Sequence, residues 1–402
     1  MNVILFCDPV LQQNLLPFTF TRPVAEIRVG ILTIAEKWGH SAGASVSYLT
    51  RPYLQQKYAL QHSTQNFYVN GALLPTPELI AEIRSLKLGE ALFSGNTLLA
   101  LNGDNLNLHS YNDLLASATN SRRECVADPR LVGEVWEIFG QNGEQIRSDF
   151  ALLTAGRKSQ PVNDKYTAVY GEDNIFIEEG AKIRAAVLNA EDGPIYIGRN
   201  AQVQEGALIR GPFALCEGSQ VSMGGKMRSD TTIGPFSKVG GEVSNSVIFG
   251  YSSKGHDGFL GNSVLGEWCN LGADTNTSNL KNNYANVKIW NYAKGGFKDT
   301  GRQFCGLIMG DHSKCGINTM FNTGTVVGVS ANIFGSGFPR NFIPSFSWGG
   351  NAGFETYQLR KVFEVAEKVM ERRNKPLDET EKAILTDVFN QTQQYRVWDA
   401  KA

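Results

Sequence analysis

A six-residue hydrophobic repeat runs through the middle of the chain. Eight consecutive hexads place hydrophobic residues at Ile197, Val203, Ile209, Leu215, Val221, Met227, Ile233 and Val239. The same step recurs at Met309, Cys315, Phe321, Val327 and Ile333, and a shorter run joins Phe259, Leu265 and Leu271. This period matches neither an α-helix nor the alternation of a single strand. It predicts a solenoid of short strands, in which one inward position recurs on every flat face.

Small residues fill the positions where this solenoid would turn. Glycine suits such tight bends, and it occurs at Gly198, Gly206, Gly211, Gly218, Gly224, Gly225 and Gly234. The repeat resembles the hexapeptide-repeat, left-handed parallel β-helix of acyltransferases, a triangular prism in which three hexads form one coil. We therefore expect a left-handed β-helix over residues 175–350.

The two ends of the chain follow other periods. Residues 1–165 alternate predicted strands (3–7, 45–50, 67–69 and 97–101) with predicted helices (30–38 and 77–86). This order predicts an α/β domain with a mainly parallel sheet, which binds ligands at the carboxyl ends of its strands. Residues 353–402 return to helical spacing and predict C-terminal helices that cap the solenoid or pack on a neighbour.

Composition narrows the choice of partners and location. The 402 residues carry a formal net charge of −1 and no basic stripe, so we expect small anionic ligands and no nucleic acid. Six cysteines without a C-x-x-C pair indicate reduced thiols of a cytoplasmic protein. The apolar run at residues 1–6 is too short for a signal peptide or membrane span, so no membrane partner is expected.

An acidic residue follows the predicted strand at 97–101. Asp104 stands after Gly103, where a carboxylate can hold Mg²⁺ beside a nucleotide phosphate. A simple strand-ending turn accounts for the same residues, because Asn-Gly and Gly-Asp are common turn dipeptides.

Residues 16–30 contain a Thr21-Arg22-Pro23 stretch. This stretch is similar to the second half of the signature of sugar-1-phosphate nucleotidyltransferases. The preceding glycine-rich phosphate loop is missing, because Asp8 and Pro9 follow the first strand directly. Arg22 and Arg28 either bind the phosphates in its place or only hold the domain together through ion pairs.

The hexad repeat breaks near Gly240, and a histidine lies inside the break. His256 stands among glycines with Lys254 and Asp257 beside it. An imidazole suits proton removal near neutral pH, so we interpret His256 as a candidate general base. His312 is the rival, although its place in an unbroken hexad run favours an outward corner.

The sequence around His256 resembles the acetyltransferase half of bifunctional UDP-N-acetylglucosamine pyrophosphorylase / glucosamine-1-phosphate N-acetyltransferase. The resemblance rests on Lys254-Gly255-His256, Leu260-Gly261, Leu265-Gly266, Asn270-Leu271-Gly272-Ala273 and Asn279. It covers the N-terminal domain weakly and residues 195–335 strongly, and an alternate bacterial branch with a shorter N-terminal domain matches best.

The resemblance implies roles for individual residues. His256 corresponds to the base that takes a proton from the substrate amine. Glu242, Asn270 and Asn279 correspond to substrate-binding positions, and the backbone at Gly272 and Ala273 to the acetyl-CoA site.

Three positions depart from the family pattern: Ser244 replaces a phosphate-binding lysine, and Phe259 and Leu280 replace tyrosines. Lys254, Lys281, Arg228 or Tyr284 could replace the lost phosphate contacts.

The expected activity is acetyl transfer from acetyl-CoA to an amino-sugar phosphate by a homotrimer. The resemblance also implies uridylyl transfer from UTP by the N-terminal domain, with Mg²⁺ on Asp104. The alternative is a non-catalytic scaffold or regulator that binds a sugar nucleotide.

Overall fold

A computed structural model describes residues 2–104, 108–119 and 121–399. The chain forms two compact units: unit 1 comprises Met1–Leu15, Thr19–Ile27 and Leu32–Glu134, and unit 2 comprises Leu16–Phe18, Arg28–Ile31 and Val135–Ala402. Sequence analysis placed the first boundary near residue 165. The difference is helix Val135–Thr154, which packs on strands of unit 2.

Unit 1 is an α/β fold with one six-stranded sheet. Its strands are β1 (Asn2–Phe6), β2 (Ser45–Leu49), β3 (Gln65–Asn70), β4 (Ala91–Ser94), β5 (Thr97–Asp104) and β6 (Arg122–Glu124). Its helices are α1 (Pro9–Asn14), α2 (Ile34–Ala42), α3 (Pro52–Gln55), α4 (Pro77–Arg84) and α5 (Tyr111–Ala118), with short 3₁₀ turns at Phe18–Phe20 and Val24–Glu26.

The sheet is mixed. In the order β2-β1-β3-β5-β4-β6, β1 pairs in parallel with β2 and β3, but β5 pairs antiparallel with both β3 and β4. The prediction of a mainly parallel sheet is therefore wrong at β5. The cause is local, because β4 and β5 form a tight hairpin through Gly95, which has a left-handed φ of 53°.

Helix α2 begins later than its hydrophobic spacing suggested. The Thr33 hydroxyl accepts a hydrogen bond from the Glu36 amide at 3.2 Å, and the Glu36 carboxylate accepts one from the Thr33 amide at 2.6 Å. This reciprocal capping fixes the start at Ile34. Gly43, with φ 56°, ends the helix.

Unit 2 is a left-handed parallel β-helix with three faces. Face 1 contains Ala168–Tyr170, Val187–Asn189, Leu208–Arg210, Lys226–Met227, Glu242–Ser244 and Phe259–Gly261, followed by the pair Asn276–Thr277 and Met320–Phe321. Face 2 contains Ile175–Ile177, Ile195–Ile197, Phe213–Leu215, Thr231–Ile233, Val247–Gly250, Val264–Glu267, Ile308–Met309, Val326–Val327 and Phe342–Ile343. Face 3 contains Lys182–Ile183, Gln202–Val203, Gln220–Val221, Lys238–Val239, Ser253–Lys254, Asn270–Leu271, Lys314–Cys315, Asn332–Ile333, Ser347–Gly350 and the antiparallel Gly353–Thr356.

The hexad residues form the core of this prism. Both long runs are buried and belong to one hydrophobic cluster, which confirms the inward positions predicted from the repeat. The short run is wrong by one residue, because Leu260 points inward and pairs with Val243, while Phe259 pairs with Glu242 on the outer side. The reason is that only four residues separate Leu260 from Leu265, so the spacing there is five.

The remaining elements flank or cap the solenoid. Helix α6 (Val135–Thr154) packs on face 2, and a hairpin of Lys288–Asn291 and Gly296–Asp299 interrupts the coils. The predicted C-terminal helices are α7 (Leu359–Glu371) and α8 (Glu379–Gln391); 3₁₀ turns lie at Glu172–Asn174 and Gln393–Tyr395. Across the described residues, none of these helices combines the length and apolarity needed to cross a bilayer.

Candidate functional site

His256 lies on the corner that joins face 3 to face 1. We call residues 255–258 the His256 corner; strand Ser253–Lys254 precedes it and strand Phe259–Gly261 follows it. The imidazole is exposed. A Cβ at Gly258, whose φ is 110°, would lie 2.1 Å from the Thr275 carbonyl oxygen, so the corner needs glycine at this position.

The predicted break in the repeat is a difference in corner length. Three residues separate the paired inward positions Val239 and Val243, whereas five separate Lys254 and Leu260 one coil later. The flanking strands stay in register, so the two additional residues lengthen the His256 corner relative to the one before it. The imidazole is therefore presented on a corner that extends past its neighbour.

The next coil places the predicted acetyl-CoA residues beside His256. Ser253 pairs with Asn270, and the Asp274 amide donates to the Asp257 carbonyl at 3.1 Å, so Ala273 stacks one coil from His256. The Ala273 carbonyl accepts from the Asn318 amide at 2.8 Å. Within the described residues, the Ala273 amide makes no hydrogen bond. A backbone donor thus stands next to a candidate base.

Gly272 is required for close packing of this stack. A Cβ at Gly272 would lie 2.4 Å from the Gly316 carbonyl carbon, and its amide donates to the Cys315 carbonyl at 3.1 Å. Asn270 is exposed on face 3, between Ser253 and Lys314 in adjacent strands. Gly272 and Asn270 therefore lie one coil after strand Ser253–Lys254, on the face 3 side of the His256 corner.

Glu242 belongs to a row of side chains on the outer surface of face 1, in which Lys226 precedes it by one coil. It pairs with Phe259 one coil later, and the Asn276 side-chain carbonyl accepts from the Phe259 amide at 2.9 Å. Arg228 contacts the Glu242 carboxylate at 3.2 Å, with both side chains partly exposed. The Glu242 carboxylate, the Asn276 amide and the neighbouring Arg228 guanidinium therefore lie close together on this surface.

Asn279 lies at the far edge of face 1. Its side-chain amide donates to the Asn262 side-chain oxygen at 2.8 Å. A Cβ at Gly261 would lie 2.6 Å from that amide nitrogen and 2.5 Å from Phe259 Cζ. His256 and Asn279 therefore flank a strip of face 1 that is three residues wide, about 10 Å at the usual strand rise.

Lys254 does not face this strip. Its side chain is 1% exposed, and Nζ donates to the carbonyls of Gly240 and His256 at 2.9 Å and of Asp257 at 3.4 Å. Burial lowers the pKa of Lys254 to about 8, against the opposing effect of Asp257 and Asp274. The expectation that it binds substrate is wrong, because its ammonium points into the prism.

Lys281 follows Asn279 in the segment that leads to the hairpin. Its Nζ donates to the Asn286 carbonyl at 3.0 Å. The structure thus gives it a local backbone partner at the edge of the strip.

The two predicted arginines of residues 16–30 separate between the units. Arg28 belongs to unit 2, where its side chain donates to the carbonyls of Phe249, at 3.1 Å, and Ile31. Both acceptors are backbone carbonyls of unit 2, so these two contacts are not the ion pairs of the structural alternative, and the phosphate role of Arg28 stays a prediction. Arg22 is buried in unit 1.

Asp8 occupies the place of the missing phosphate loop in unit 1. Its carboxylate accepts from the amides of Val10 and Leu11, at 2.8 and 3.3 Å, and from the Tyr111 hydroxyl at 3.0 Å. Burial and this carboxylate raise the pKa of Tyr111 well above its usual range. The amides that would bind a phosphate already bind a carboxylate of the chain itself.

Asp104 lies at the opposite end of the strands from Asp8. Because β5 is antiparallel to β3, Asp104 pairs with Gln65, the first residue of β3, and not with its carboxyl end. The Asp104 side chain lies outside the described part of the chain. Among the residues that the structure describes, no three His, Cys, Asp or Glu side chains cluster to hold a metal. The predicted Mg²⁺ site does not fit this topology.

His312 occupies a different corner, between faces 2 and 3. Its φ is 60°, and its ring stacks at 6.2 Å on Trp268, which continues a column through Tyr251 and Phe236. Burial raises the pKa of Tyr251 in this column. His312 therefore packs within an aromatic corner column.

The structure singles out Asn276 among the five asparagines of residues 265–284, which the sequence offers together as groups that could orient a sugar. A spacing of seventeen residues links Glu242 to Phe259 and Phe259 to Asn276, and this coil length is the signal that could have revealed it. Arg228 was one of four proposed replacements for the lost phosphate contacts, and its contact with Glu242 places it nearest the row.

Comparisons with known proteins agree with this architecture. Residues 3–158 match a family model described as sugar nucleotidyl transferase. The chain is 31% identical over 168 residues to a bifunctional sugar-1-phosphate nucleotidylyltransferase/acetyltransferase of Sulfurisphaera tokodaii, covering 41% of this chain and 39% of that protein. It is 37% identical over 87 residues to the bifunctional protein GlmU of Methanocaldococcus jannaschii, covering 22% and 21%.

A further relative is an uncharacterised acetyltransferase, YaiX, of Escherichia coli, 26% identical over 41% of this chain and 67% of its own length. Among solved structures, the acyltransferase LpxA of Bacteroides fragilis aligns at 14% identity and a TM-score of 0.25, covering 58% of this chain and 91% of that one. The matches to the first two relatives span less than half of their lengths. They confirm the predicted resemblance to bifunctional sugar-phosphate nucleotidyltransferase/acetyltransferases.

Proposed function

We propose that this protein transfers the acetyl group of acetyl-CoA to the amine of an amino-sugar phosphate, either glucosamine-1-phosphate or a close analogue. The observation that carries the proposal is the stacking of the exposed His256 imidazole one coil from the hydrogen-bond-free Ala273 amide. The acetyltransferases among its relatives give independent support.

The two groups suit the two needs of acyl transfer. The His256 imidazole takes a proton from the substrate amine as the nitrogen attacks the thioester carbon. The carbonyl oxygen gains negative charge, which the Ala273 amide stabilises by donating a hydrogen bond. The C–S bond then breaks, and the imidazolium returns the proton to the departing thiolate of CoA.

Face 1 is the proposed acceptor surface. Glu242 and Asn279 supply hydrogen-bonding groups for sugar hydroxyls around the strip, and Asn270 supplies another from face 3, on the other side of the His256 corner. Arg228 is the cation that we assign to the phosphate, because its guanidinium contacts Glu242 and Arg228 precedes Ser244 by one coil in the neighbouring outward row. With Ser244 in place of a lysine, we expect weaker discrimination for phosphate than the family pattern implies.

Uridylyl transfer by unit 1 is a weaker second candidate. The match to sugar nucleotidyl transferases favours it. Two features oppose it: the Asp8 carboxylate on the amides of Val10 and Leu11, and the position of Asp104 at the opposite end of the strands from Asp8. A unit that binds a sugar nucleotide without turnover agrees with both.

We also propose a homotrimer in the cytoplasm, in which the strip of face 1 faces a neighbouring subunit. The six free cysteines agree with a reducing compartment. The strip is exposed and partly polar, which agrees with one wall of a substrate groove that a second subunit completes.

Thiol release from acetyl-CoA with glucosamine-1-phosphate tests the acetyl transfer. We expect His256→Ala to lower kcat by about a hundredfold or more, the scale of a lost general base. His312→Ala is the matched control and should keep kcat within about threefold. Equal losses in both variants, or release without an acceptor, would contradict the assignment. Binding of sugar nucleotides with no transfer to any amino-sugar phosphate would favour the scaffold.

A further inference from the structure

Lys254 occupies an inward position of the β-helix. It pairs with Val239 of the preceding coil, and the same column continues to Leu271. Its neighbours in the column are buried hydrophobic residues, and Lys254 itself is 1% exposed. A lysine at such a site loses the hydration of its charge, so the fold must return hydrogen bonds to it.

The acceptors of those hydrogen bonds are backbone carbonyls of two adjacent corners. Nζ reaches the carbonyls of His256 and Asp257 within the His256 corner and the carbonyl of Gly240 in the shorter corner before it. The shorter corner has two residues fewer, so it offers fewer backbone donors to the longer one. The ammonium supplies the missing donors and ties the two corners together.

Burial lowers the pKa of Lys254 to about 8, and the carboxylates of Asp257 and Asp274 oppose that shift, so the ammonium is the main form near neutral pH. Asp257 lies on the His256 corner and Asp274 on the corner one coil later. With all three N–H groups present, each carbonyl has a donor. In this state the ammonium binds the carbonyls of both His256 and Asp257 and so holds the backbone that carries the imidazole.

We propose that Lys254 is a positioning residue, which fixes the backbone of the His256 corner and so sets the direction of the imidazole. Its catalytic consequence rests on the proposed acetyl transfer, whereas its effect on the corner does not. Amides that donate to the corner report its position directly: Glu242 donates to the Gly258 carbonyl at 3.1 Å, and Asp274 to the Asp257 carbonyl at 3.1 Å.

The test compares Lys254→Met with Lys314→Met. Lys314 is a matched control, because its Nζ also donates to a corner carbonyl, that of His312, at 3.0 Å. In Lys254→Met we expect hydrogen exchange at the Glu242 and Asp274 amides to accelerate at least tenfold. The Asn318 amide, which donates to Ala273, should keep its rate. Lys314→Met should leave all three amides unchanged.

Activity adds a second readout. Lys254→Met should lower kcat at least tenfold and leave KM for acetyl-CoA within about twofold, and it should cause no further loss in a His256→Ala background. Accelerated exchange with no transferase activity in the wild type would refute the proposed function but keep the positioning role. Unchanged exchange in Lys254→Met would overturn that role.

A measurement on the wild type covers the case in which Lys254→Met does not fold. If the Glu242 and Asp274 amides of the intact protein exchange as fast as unprotected amides, the corner is not fixed, and the proposal is wrong.

Discussion

At the scale of single residues, several buried polar groups of the prism are held by backbone carbonyls. Lys254 holds three carbonyls, and Ser252 at the preceding corner donates to the Gly266 carbonyl at 2.9 Å. Lys254 lies among aliphatic neighbours in an inward column, so it departs from the local hydrophobic pattern at the corner that carries the candidate base. Such departures are expected where structure is used for chemistry.

Burial of Lys254 makes the stability of the fold depend on pH. Its pKa is about 8 in the native state and about 10.5 unfolded, so the cost of burying the charge is complete below pH 8. That cost is relieved as the pH rises from about 8 towards 10.5. Over this interval we expect the unfolding free energy of the wild type to rise by up to about 3 kcal/mol relative to that of Lys254→Met. Urea titrations of both proteins at several pH values measure this difference in unfolding free energy. A difference that does not change with pH would contradict the prediction.

At the scale of elements, the corners decide how closely coils can stack. Gly241 and Gly224 both adopt left-handed φ values, 66° and 69°. A Cβ at Gly241 would lie 2.5 Å from the Gly258 carbonyl oxygen, whereas a Cβ at Gly224 meets nothing within 4 Å. The two glycines therefore share the conformational requirement and differ only in the contact.

This pair yields a controlled prediction. Gly224→Ala should cost about 1 kcal/mol of unfolding free energy, the usual penalty for a side chain in this conformation. Gly241→Ala should cost at least about 2 kcal/mol more, because the His256 corner must move to admit the methyl group. Chemical denaturation of both variants measures the difference. Equal costs would show that the two corners are not in close contact.

The C-terminal helices cap the last coil through aromatic and charged contacts. Arg396 is 2% exposed, donates to the Phe389 carbonyl at 3.1 Å and lies 4.2 Å from the Phe389 ring centroid. Phe389 in turn packs edge-on against Phe346 of the last coil at 5.0 Å. Helix α8 thereby covers the open end of the core, where an uncovered prism would expose apolar surface.

Some elements could be predicted from the sequence and others could not, for physical reasons. The hexads were readable because each coil repeats the same inward position, so Ile197 to Val239 all lie in the core. The direction of β5 was not, because a tight hairpin at Gly95 and a crossover leave similar strand patterns. Lys254 was misread for a related reason: sequence spacing marks a lysine near His256 but does not tell an inward position from an outward one once the corner length changes.

At the scale of the whole molecule, unit 2 includes short pieces of the N-terminal sequence. The Gly30 amide donates to the Asn142 side chain at 2.7 Å, and the Ile31 amide to the Asp149 carboxylate at 2.8 Å. Thr232 donates to the Gly30 carbonyl at 2.9 Å. Residues 28–31 therefore join helix α6 to face 2 of the β-helix, and the compact unit is discontinuous in sequence.

This discontinuity predicts that the β-helix part does not retain its stability when it is cut at the start of α6. A fragment of residues 135–402 keeps Asn142 and Asp149, which are 0% and 2% exposed, but loses the Gly30 and Ile31 amides that donate to them; Asn142 keeps the Thr232 hydroxyl. Each lost hydrogen bond costs about 0.5–1.5 kcal/mol, and about 1.5–3 kcal/mol when the acceptor is charged. We expect the melting temperature of the fragment to fall by several degrees or more relative to the full chain.

The matched control is the same fragment with Asn142→Leu and Asp149→Leu, which removes the two side chains that each lost a backbone donor. It should recover part of the lost stability in thermal unfolding followed by circular dichroism, because apolar side chains no longer need those donors. In the full chain the same double substitution should destabilise, since it leaves the amides of Gly30 and Ile31 without acceptors. A fragment as stable as the full chain, or a double substitution with the same effect in both backgrounds, would show that residues 28–31 are not part of the folding unit.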